Sequence, residues 1–241
     1  MKFLFIFNNL VNIILCCIKN LSIYLITGSN RGIGLELARQ LKLRGDDVIA
    51  TCRKTSEELS NLGVNVIENV DISSGQSITK LKSKLKNVKL DCLIHNAGIS
   101  EYNSFDDLDP ESIKRQFDVN ALSPLCMTRS LINFFNKKSK IAFITSRMAS
   151  IDDNTSGGSY GYRMSKVALS MAAKSLSLDL KNKKIYIAIL HPGLVSTRMT
   201  GFTNNGISTL ESAVGLLQRI DSLNESNSGS FWHANGKVLP W

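Results

Sequence analysis

Tyr162 and Lys166 are the two side chains whose types and spacing point most directly to chemistry. They lie four residues apart in a stretch that predicts a helix over 160–181, so both share one face of that helix. A free tyrosine titrates at about pH 10, and a neighbouring ammonium favours the phenolate and lowers that pKa. The pair predicts general acid–base chemistry with Tyr162 as proton donor, although this spacing also arises by chance on exposed helices.

A glycine-rich turn follows the first predicted strand. It reads Thr27-Gly28-Ser29-Asn30-Arg31-Gly32-Ile33-Gly34. Glycines where a strand becomes a helix permit a tight turn and let a pyrophosphate approach the backbone, while the helix N-terminus offers unpaired N–H groups. The spacing differs from the usual G-x-G-x-x-G, but its place between a strand and a helix predicts a dinucleotide site.

The end of the second predicted strand bears on the choice of dinucleotide. It reads Ala50-Thr51-Cys52-Arg53-Lys54, with no acidic residue at the tip. An acid there suits the ribose 2′-hydroxyl of NAD, whereas an arginine suits the 2′-phosphate of NADP. Arg53 and Arg31 can each present a planar guanidinium to that phosphate, so NADPH (NADP+) is predicted in preference to NADH. The alternative is that Arg53 is an ordinary solvated loop cation.

These residues lie between alternating strand-like and helix-like segments. Strands are predicted at 22–26, 47–52, 65–67, 90–95, 140–145, 185–190 and 236–239, and helices at 32–44, 75–86, 110–136, 160–181 and 209–223. Most strand candidates are continuous apolar runs, as in strands buried on both faces. The pattern predicts the α/β class, with a single doubly wound parallel-sheet Rossmann domain over 21–241 and helices on both faces. Ligands of such a sheet bind at the carboxyl ends of its strands.

The composition is typical of a globular protein and gives no indication of a nucleic-acid or metal partner. The chain is 43% hydrophobic, and its net charge of +9 comes from scattered residues, so the lysines between 80 and 89 are interpreted as a solvated helix surface. No nucleic-acid motif is present, and no nucleic-acid partner is expected. The five cysteines form no disulfide framework and the three histidines show no metal-ligand spacing, so we expect no metal and a reduced, cytoplasmic protein.

Residues 1–20 form an apolar N-terminal extension of uncertain role. They read MKFLFIFNNLVNIILCCIKN, without a small-residue cleavage site and without arginine. An added or misassigned upstream segment, an interfacial membrane helix and a targeting signal all remain open. Membrane contact is expected only through this segment.

The motifs together resemble those of the classical short-chain dehydrogenase/reductase family. The resemblance covers about 21–241 and rests on the glycine turn, Asn96-Ala97-Gly98, Tyr162-x-x-x-Lys166 and Pro192-Gly193. The stretch 157–166 and the final residues 236–241 are similar to the carbonyl-reductase-like, C-factor-like branch.

The resemblance implies a site and an assembly. The implied catalytic tetrad is Asn120, Ser146, Tyr162 and Lys166, with Ser146 bonding the substrate oxygen and Asn120 holding a water that links Lys166 to solvent. The implied cofactor-binding residues are Gly28, Asn30, Arg31, Gly32, Ile33, Gly34, Arg53, Asp71, Ile72, Asn96, Ala97, Gly98, Tyr162, Lys166, Pro192, Gly193, Val195 and Thr197. Family members commonly pair through their two long helices, which implies a homodimer or homotetramer.

Two departures from the family pattern concern the site. Position 95 is histidine, where the family usually has asparagine, and a neutral imidazole is expected to make comparable hydrogen bonds. Sixteen positions separate Ser146 from Tyr162, about three more than is common in the family, so the segment 152–158 is expected to widen a loop over the substrate mouth.

The leading hypothesis is an NADPH-dependent oxidoreductase that transfers a hydride between nicotinamide and a small carbonyl or alcohol substrate. The alternative is a catalytically silent dinucleotide-binding protein with a regulatory or signalling role. A third hypothesis, a membrane-associated reductase, depends wholly on residues 1–20.

Overall fold

A single seven-stranded parallel sheet forms the centre of the protein. The computed structural model describes residues 21–241. The strands are β1 (Ile23–Thr27), β2 (Asp47–Thr51), β3 (Asn65–Ile67), β4 (Leu90–His95), β5 (Phe135–Ile144), β6 (Tyr186–His191) and β7 (Phe231–His233). Their order is β3-β2-β1-β4-β5-β6-β7, and every pairing is parallel. This arrangement confirms the predicted doubly wound fold, and the strand order reverses between β1 and β4.

Helices connect the strands. They are α1 (Gly32–Leu43), α2 (Glu57–Ser60), α3 (Gly75–Lys84), α4 (Pro110–Phe117), α5 (Ser123–Leu131), α6 (Tyr160–Asp179) and α7 (Thr209–Asp221). A π-helical turn, Asp118–Leu122, joins α4 to α5. Four 3₁₀ turns cover Ile132–Phe134, Arg147–Ala149, Lys181–Lys183 and Arg198–Thr200. Among residues 21–241, no helix is both long and apolar enough to cross a bilayer.

The core has two layers, one on each face of the sheet. Two consecutive residues of β1 contribute to different layers. Leu25 belongs to the cluster that includes Leu131 of α5 and Leu169 of α6. Ile26 belongs to the other cluster, with Leu37 of α1 and Leu216 of α7. Successive strand residues point to opposite faces, so apolar residues at consecutive positions are buried on both sides.

Two element predictions were wrong in their details. The last strand is Phe231–His233, whereas the predicted segment 236–239 begins with a turn at Gly236 (φ +95°) and makes a single antiparallel bridge, from Val238 to Trp232. The edge strand is instead formed around Phe231 and Trp232, since aromatic side chains favour the extended conformation.

The predicted helix over 110–136 is also interrupted. The π turn at Asp118–Leu122 divides it, and the chain is already extended at Phe135, where β5 begins. The short helix α2, capped by the Ser56 hydroxyl that accepts from Leu59 N at 3.2 Å, was not predicted. The expectations for residues 1–20 lie outside the described residues.

Candidate active site

The predicted site residues meet at the carboxyl edge of the sheet. Contacts between separate loops show this: a Cβ built on Gly28 would lie 2.9 Å from Ala97 Cα, and one on Gly32 would lie 3.5 Å from Thr197 Cγ2. A Cβ on Gly98 would lie 3.1 Å from Asn120 Oδ1 and 3.5 Å from Lys166 Nζ. The fold therefore brings the glycine turn, the loops after β4 and β6, and the candidate catalytic side chains into one region.

The glycine turn has the geometry of an anion cradle. Gly28 (φ +69°) and Gly32 (φ +56°) adopt the left-handed conformation that favours glycine. Arg31 precedes α1 in an extended conformation without a side-chain cap, and the first turn of α1 contains no acidic residue. The first N–H groups of this helix are thus free to bind phosphate oxygens, which fits the predicted dinucleotide.

Gly34 sets how closely α1 approaches the turn. A Cβ at this position would lie 2.3 Å from Gly28 O and 2.4 Å from Asn96 Nδ2, well inside contact distance. Asn96 Nδ2 itself donates to Thr27 O and to Gly28 O, each at 3.0 Å. The Thr27 hydroxyl oxygen accepts from the N–H groups of Asn96 and Ala97, also at 3.0 Å. Asn96 therefore acts as a brace that fixes the glycine turn against the end of β4.

The adenosine end of the proposed cofactor site carries two exposed arginines. Arg31 and Arg53 make no side-chain hydrogen bond or ion pair within residues 21–241, whereas Asn30 Nδ2 donates to Lys54 O at 3.0 Å. The Asp71 carboxylate accepts from the hydroxyl and N–H of Ser73, and these bonds, aided by the charge of Arg53, lower the pKa of Asp71. Ile72 packs on the core beside it, and Ile33 lies against the other cluster.

The loop after β6 closes the region from the far side. Gly193 has φ +91°, and a Cβ there would lie 2.8 Å from Ile207 Cδ1. The Pro192 carbonyl accepts from the Ser212 hydroxyl at 2.8 Å, while Val195 forms a parallel bridge with Ile207. Thr197 starts the next 3₁₀ turn and faces Gly32. This loop thus lies over the glycine turn, where the resemblance expects cofactor contacts.

Asn120 lies in the π turn and is completely buried. Its Nδ2 donates to Ile99 O at 2.8 Å and to Ser165 Oγ at 3.0 Å, and its Oδ1 accepts from Ile99 N at 2.8 Å. A π turn is a rare helical irregularity that often occurs at functional sites. Here it directs the Asn120 side chain at both the loop after β4 and helix α6, so this residue holds the two together.

Lys166 and Tyr162 project from the first turns of α6. Lys166 Nζ donates to Ile144 O at 2.9 Å and lies 5.7 Å from the centroid of the Tyr162 ring. Burial lowers the pKa of Lys166 to about 8, since the surroundings disfavour its ammonium form. Burial also raises the pKa of the Tyr162 phenol, and a hydrogen bond with Ser146 partly opposes that rise.

The direction of the Tyr162 shift differs from the expected lowering. Desolvation of the phenolate outweighs the lowering by the Ser146 hydrogen bond in the protein alone. Ser146 is buried at the end of β5, where its hydroxyl oxygen also accepts from Met148 N at 3.1 Å. Ser146 and Tyr162 are therefore adjacent, as the resemblance implies, and both hydroxyls face the same region.

His95 is a buried, neutral side chain. Burial lowers its pKa to about 3, which favours the expected neutral form. Its Nε2 lies 2.8 Å from Thr128 Oγ1, whose own proton goes to Pro124 O, so Nε2 is the donor. The ring also stacks on Phe143 with the centroids 4.8 Å apart. The imidazole thus ties β4 to α5.

The loop between Ser146 and α6 is held by residues that were not predicted as functional. Arg163 donates to the carbonyl oxygens of Gly158 and Met148 and to the Ser156 hydroxyl. Arg147 pairs with Asp153, which lies in the predicted longer segment. Trp241 O accepts from Asp152 N at 3.0 Å. No motif in the sequence marks these contacts, because several partners are backbone atoms and the side-chain pairs form only through the path of the loop.

Comparison with known proteins agrees with this geometry. The profile of the short chain dehydrogenase family matches residues 22–207. A 1-hydroxy-2-glutathionyl-2-methyl-3-butene dehydrogenase from Rhodococcus sp. strain AD45 is 37% identical over 226 residues, which cover 92% of this chain and 100% of that protein. The C-signal protein of Myxococcus xanthus is 40% identical over 155 residues, covering 63% of this chain and 93% of that protein.

A solved structure, the NADPH-bound carbonyl reductase from chicken fatty liver, superposes with a TM-score of 0.84 at 28% identity. It covers 92% of this chain and 99% of that chain. The chain belongs to the short chain dehydrogenase family of oxidoreductases. Within that family it lies near the carbonyl-reductase-like branch.

Proposed function

We propose that the protein is an NADPH-dependent reductase of small carbonyl compounds, able to work in reverse on the corresponding alcohols. The observation that carries the proposal is the grouping of Tyr162, Lys166 and Ser146 beside Gly98, at the sheet edge that also presents the uncapped glycine turn. A proton donor, a buried cation and an anion cradle in one region suit reduction of a carbonyl.

Each side chain has a distinct task in this proposal. Bound NADPH supplies the hydride, and the Tyr162 phenol supplies the proton to the substrate oxygen. Ser146, next to that phenol, donates a hydrogen bond to the same oxygen and stabilises its developing charge. Lys166 stabilises the phenolate that remains after proton transfer, because its buried ammonium lies beside the ring.

Asn120 has a positioning role in this proposal. Its amide fixes Ile99 and Ser165, and its Oδ1 lies on the same side of Gly98 as Lys166 Nζ. A carbonyl oxygen has two lone pairs, so Oδ1 can accept from a water as well as from Ile99 N. This arrangement supports the proposed water link between Lys166 and solvent, along which the proton on Tyr162 is replaced.

The proposed cofactor is NADPH in preference to NADH. Support comes from Arg31 and Arg53, two exposed guanidinium groups beside the turn and without side-chain partners within residues 21–241. A 2′-phosphate can accept charge-assisted hydrogen bonds from either group, whereas the 2′-hydroxyl of NADH gains little from them. The carbonyl reductase from chicken fatty liver was solved with NADPH bound.

The direct experiment is consumption of NADPH by the purified full chain with quinones, aldehydes and ketones. Oxidation of glutathione-conjugated alcohols with NADP+ should be included, since the name of the Rhodococcus relative points to such a substrate. Turnover that depends on both substrate and NADPH is the expected result. Tight NADPH binding without turnover of any compound would favour the silent, dinucleotide-binding alternative.

We also propose a homodimer or homotetramer in the cytoplasm. Met164 and Met171 lie one heptad apart on α6 and are more than half exposed, and Phe117 at the end of α4 is 45% exposed. Helices α4 and α6 pack side by side, so these apolar side chains suit pairing with a second copy. Free Cys52, Cys92 and Cys126 fit a reducing compartment. Light scattering of the full chain tests the assembly.

A further inference from the structure

The edge of the sheet opposite the candidate active site carries a dense group of lysines. They lie at the amino ends of the adjacent strands β4, β5 and β6: at the end of α3 and in the turn after it, in the first residues of β5, and in the turn before β6. All are exposed. The group, called the lysine edge below, consists of Lys84, Lys86, Lys89, Lys137, Lys138, Lys181, Lys183 and Lys184. These residues are separated by up to a hundred positions in the chain, and the parallel topology brings them together.

Direct contacts join the three segments. Lys138 N donates to Lys184 O at 2.7 Å, so the start of β5 contacts the turn before β6. Lys89 Nζ donates to Asn133 O at 3.0 Å, which links the turn before β4 to the start of β5. Because adjacent strands are about 4.8 Å apart, the eight side chains occupy one small surface.

The charge of this surface is poorly balanced. None of its lysines forms an ion pair within residues 21–241. Asp46 and Asp221, also near the amino ends of the strands, are both paired with Arg44. Asp179 and Glu225 lie near Lys181, and Asp91 at the start of β4 accepts from Ile23 N, so the eight lysines outnumber the nearby carboxylates that form no ion pair.

The backbone gives a second, independent observation. Lys138 (φ 70°) and Lys184 (φ 54°) both adopt the left-handed conformation, which glycine or asparagine adopts most easily. The corresponding position before β4 is Asn87 (φ 74°), and asparagine is common in this conformation. Lysine thus occupies two positions of this surface where glycine or asparagine would be less strained.

Exposed leucines accompany the lysines. Leu21 precedes β1, Leu43 ends α1 and Leu178 lies in the last turn of α6, all near the amino ends of the strands. They are 60%, 75% and 67% exposed, respectively. The apolar sequence of residues 1–20 leads directly into Leu21.

We propose that the lysine edge docks the protein on an anionic lipid bilayer. Basic side chains are attracted to the negative potential of phosphatidylserine-rich membranes, and the exposed leucines near the amino ends of the strands can enter the interface. A nucleic acid would satisfy the charge but would leave the exposed leucines in water. Docked by this edge, the protein presents its active-site edge to the aqueous side.

The test measures binding of the full chain to phosphatidylcholine vesicles with and without phosphatidylserine, by co-sedimentation at low and at high salt. Binding is expected only to the anionic vesicles and should weaken as salt increases. Lys138→Asn with Lys184→Asn removes two charges and keeps a residue suited to the left-handed backbone. From the usual contribution of a basic residue near a charged membrane, this pair should weaken binding on the order of thirtyfold.

A matched control and a second variant make the result decisive. Lys114→Gln with Lys237→Gln removes the same charge at the opposite edge and should change binding little. Lys137→Gln with Lys183→Gln removes two charges of the lysine edge outside the left-handed positions and should weaken binding like the first pair. No variant should lower the melting temperature or the turnover.

Three results would overturn the proposal. The first is equal binding to neutral vesicles, which would assign attachment to apolar contact alone. The second is equal weakening by the control pair, which would assign it to net charge. The third is displacement from the vesicles by a short DNA duplex at physiological salt, which would identify nucleic acid as the preferred partner.

Discussion

The Lys166 ammonium nitrogen lies 5.7 Å from the centre of the Tyr162 ring, and both groups have pKa values shifted by burial. The pKa of Lys166 is lowered to about 8 and that of Tyr162 is raised, so burial alone opposes an ion pair between ammonium and phenolate. At neutral pH the phenol therefore holds its proton, which is the form that carbonyl reduction requires. The positive charge on the oxidised nicotinamide ring of NADP+ would favour the phenolate needed for the reverse reaction.

The first prediction concerns the proton donor. Tyr162→Phe should lower turnover by roughly a hundredfold or more, because no other group supplies the proton, while NADPH affinity stays near the wild-type value. Steady-state kinetics and titration of NADPH fluorescence measure the two quantities separately. Tyr160→Phe, two residues earlier on the same helix, is the matched control and should keep full turnover. Near-normal turnover of Tyr162→Phe would rule out its role.

The second prediction concerns cofactor choice. Arg53→Asp should weaken NADPH binding by roughly ten- to a hundredfold, because an acid repels the 2′-phosphate and replaces a charge-assisted hydrogen bond. The same carboxylate can accept from the 2′-hydroxyl of NADH, so the ratio of kcat/KM for the two cofactors should move towards NADH.

The control for this change is the neighbouring cation. Lys54→Gln removes one positive charge at the next position and leaves the Arg53 guanidinium in place. It should alter the cofactor ratio far less than Arg53→Asp. Equal effects of the two variants would mean that general positive charge, not a specific guanidinium contact, favours NADPH.

The third prediction tests the close packing of the glycine turn. A Cβ at Gly34 would lie 2.3 Å from Gly28 O and 2.4 Å from Asn96 Nδ2, so α1 must move away from the turn. Gly34→Ala should lower the free energy of unfolding by about 1–3 kcal/mol and weaken NADPH binding. Gly75→Ala, at the start of α3 where nothing lies within 4 Å, should be nearly neutral in urea denaturation. Equal stability of the two variants would contradict this packing.

Most of the fold could be predicted because its signals are local. Continuous apolar runs located β1 to β6, and the glycine turn located the cofactor edge, since parallel strands place their carboxyl ends together. The last strand could not be located in this way, because Phe231-Trp232 and the segment after Gly236 are both short, and tertiary packing decides between them. The π turn at Asn120 was equally hidden, since its cause is the pairing of that side chain with Ile99 and Ser165.

The candidate site was predicted through its motifs, but its supports were not. Arg163 holds the loop before α6 through two backbone carbonyls and one hydroxyl, and such partners leave no pattern in a sequence. The lysine edge illustrates the same limit. The lysines between 80 and 89 are interpreted from the sequence as a solvated helix surface, whereas the topology places three of them beside five from other segments of the chain.

The last prediction concerns stability against pH and follows from His95. Its pKa falls from 6.5 to about 3 because the folded protein buries the neutral ring. As pH falls below 6.5, the unfolded chain takes up a proton that the folded protein refuses, so stability is lost across that window. The slope from one such histidine is about 1.4 kcal/mol per pH unit. His191, with its pKa also lowered to about 3, adds a similar slope.

His95→Asn should remove one of these two contributions. Urea denaturation of wild type and variant between about pH 6 and pH 4 should give slopes that differ by about 1.4 kcal/mol per pH unit. Thr128→Val is the matched control: it removes the hydroxyl 2.8 Å from His95 Nε2 but keeps the ring buried, so its curve should be lower and parallel to that of wild type. Parallel curves for wild type and His95→Asn would mean that the folded protein already protonates this imidazole near pH 6.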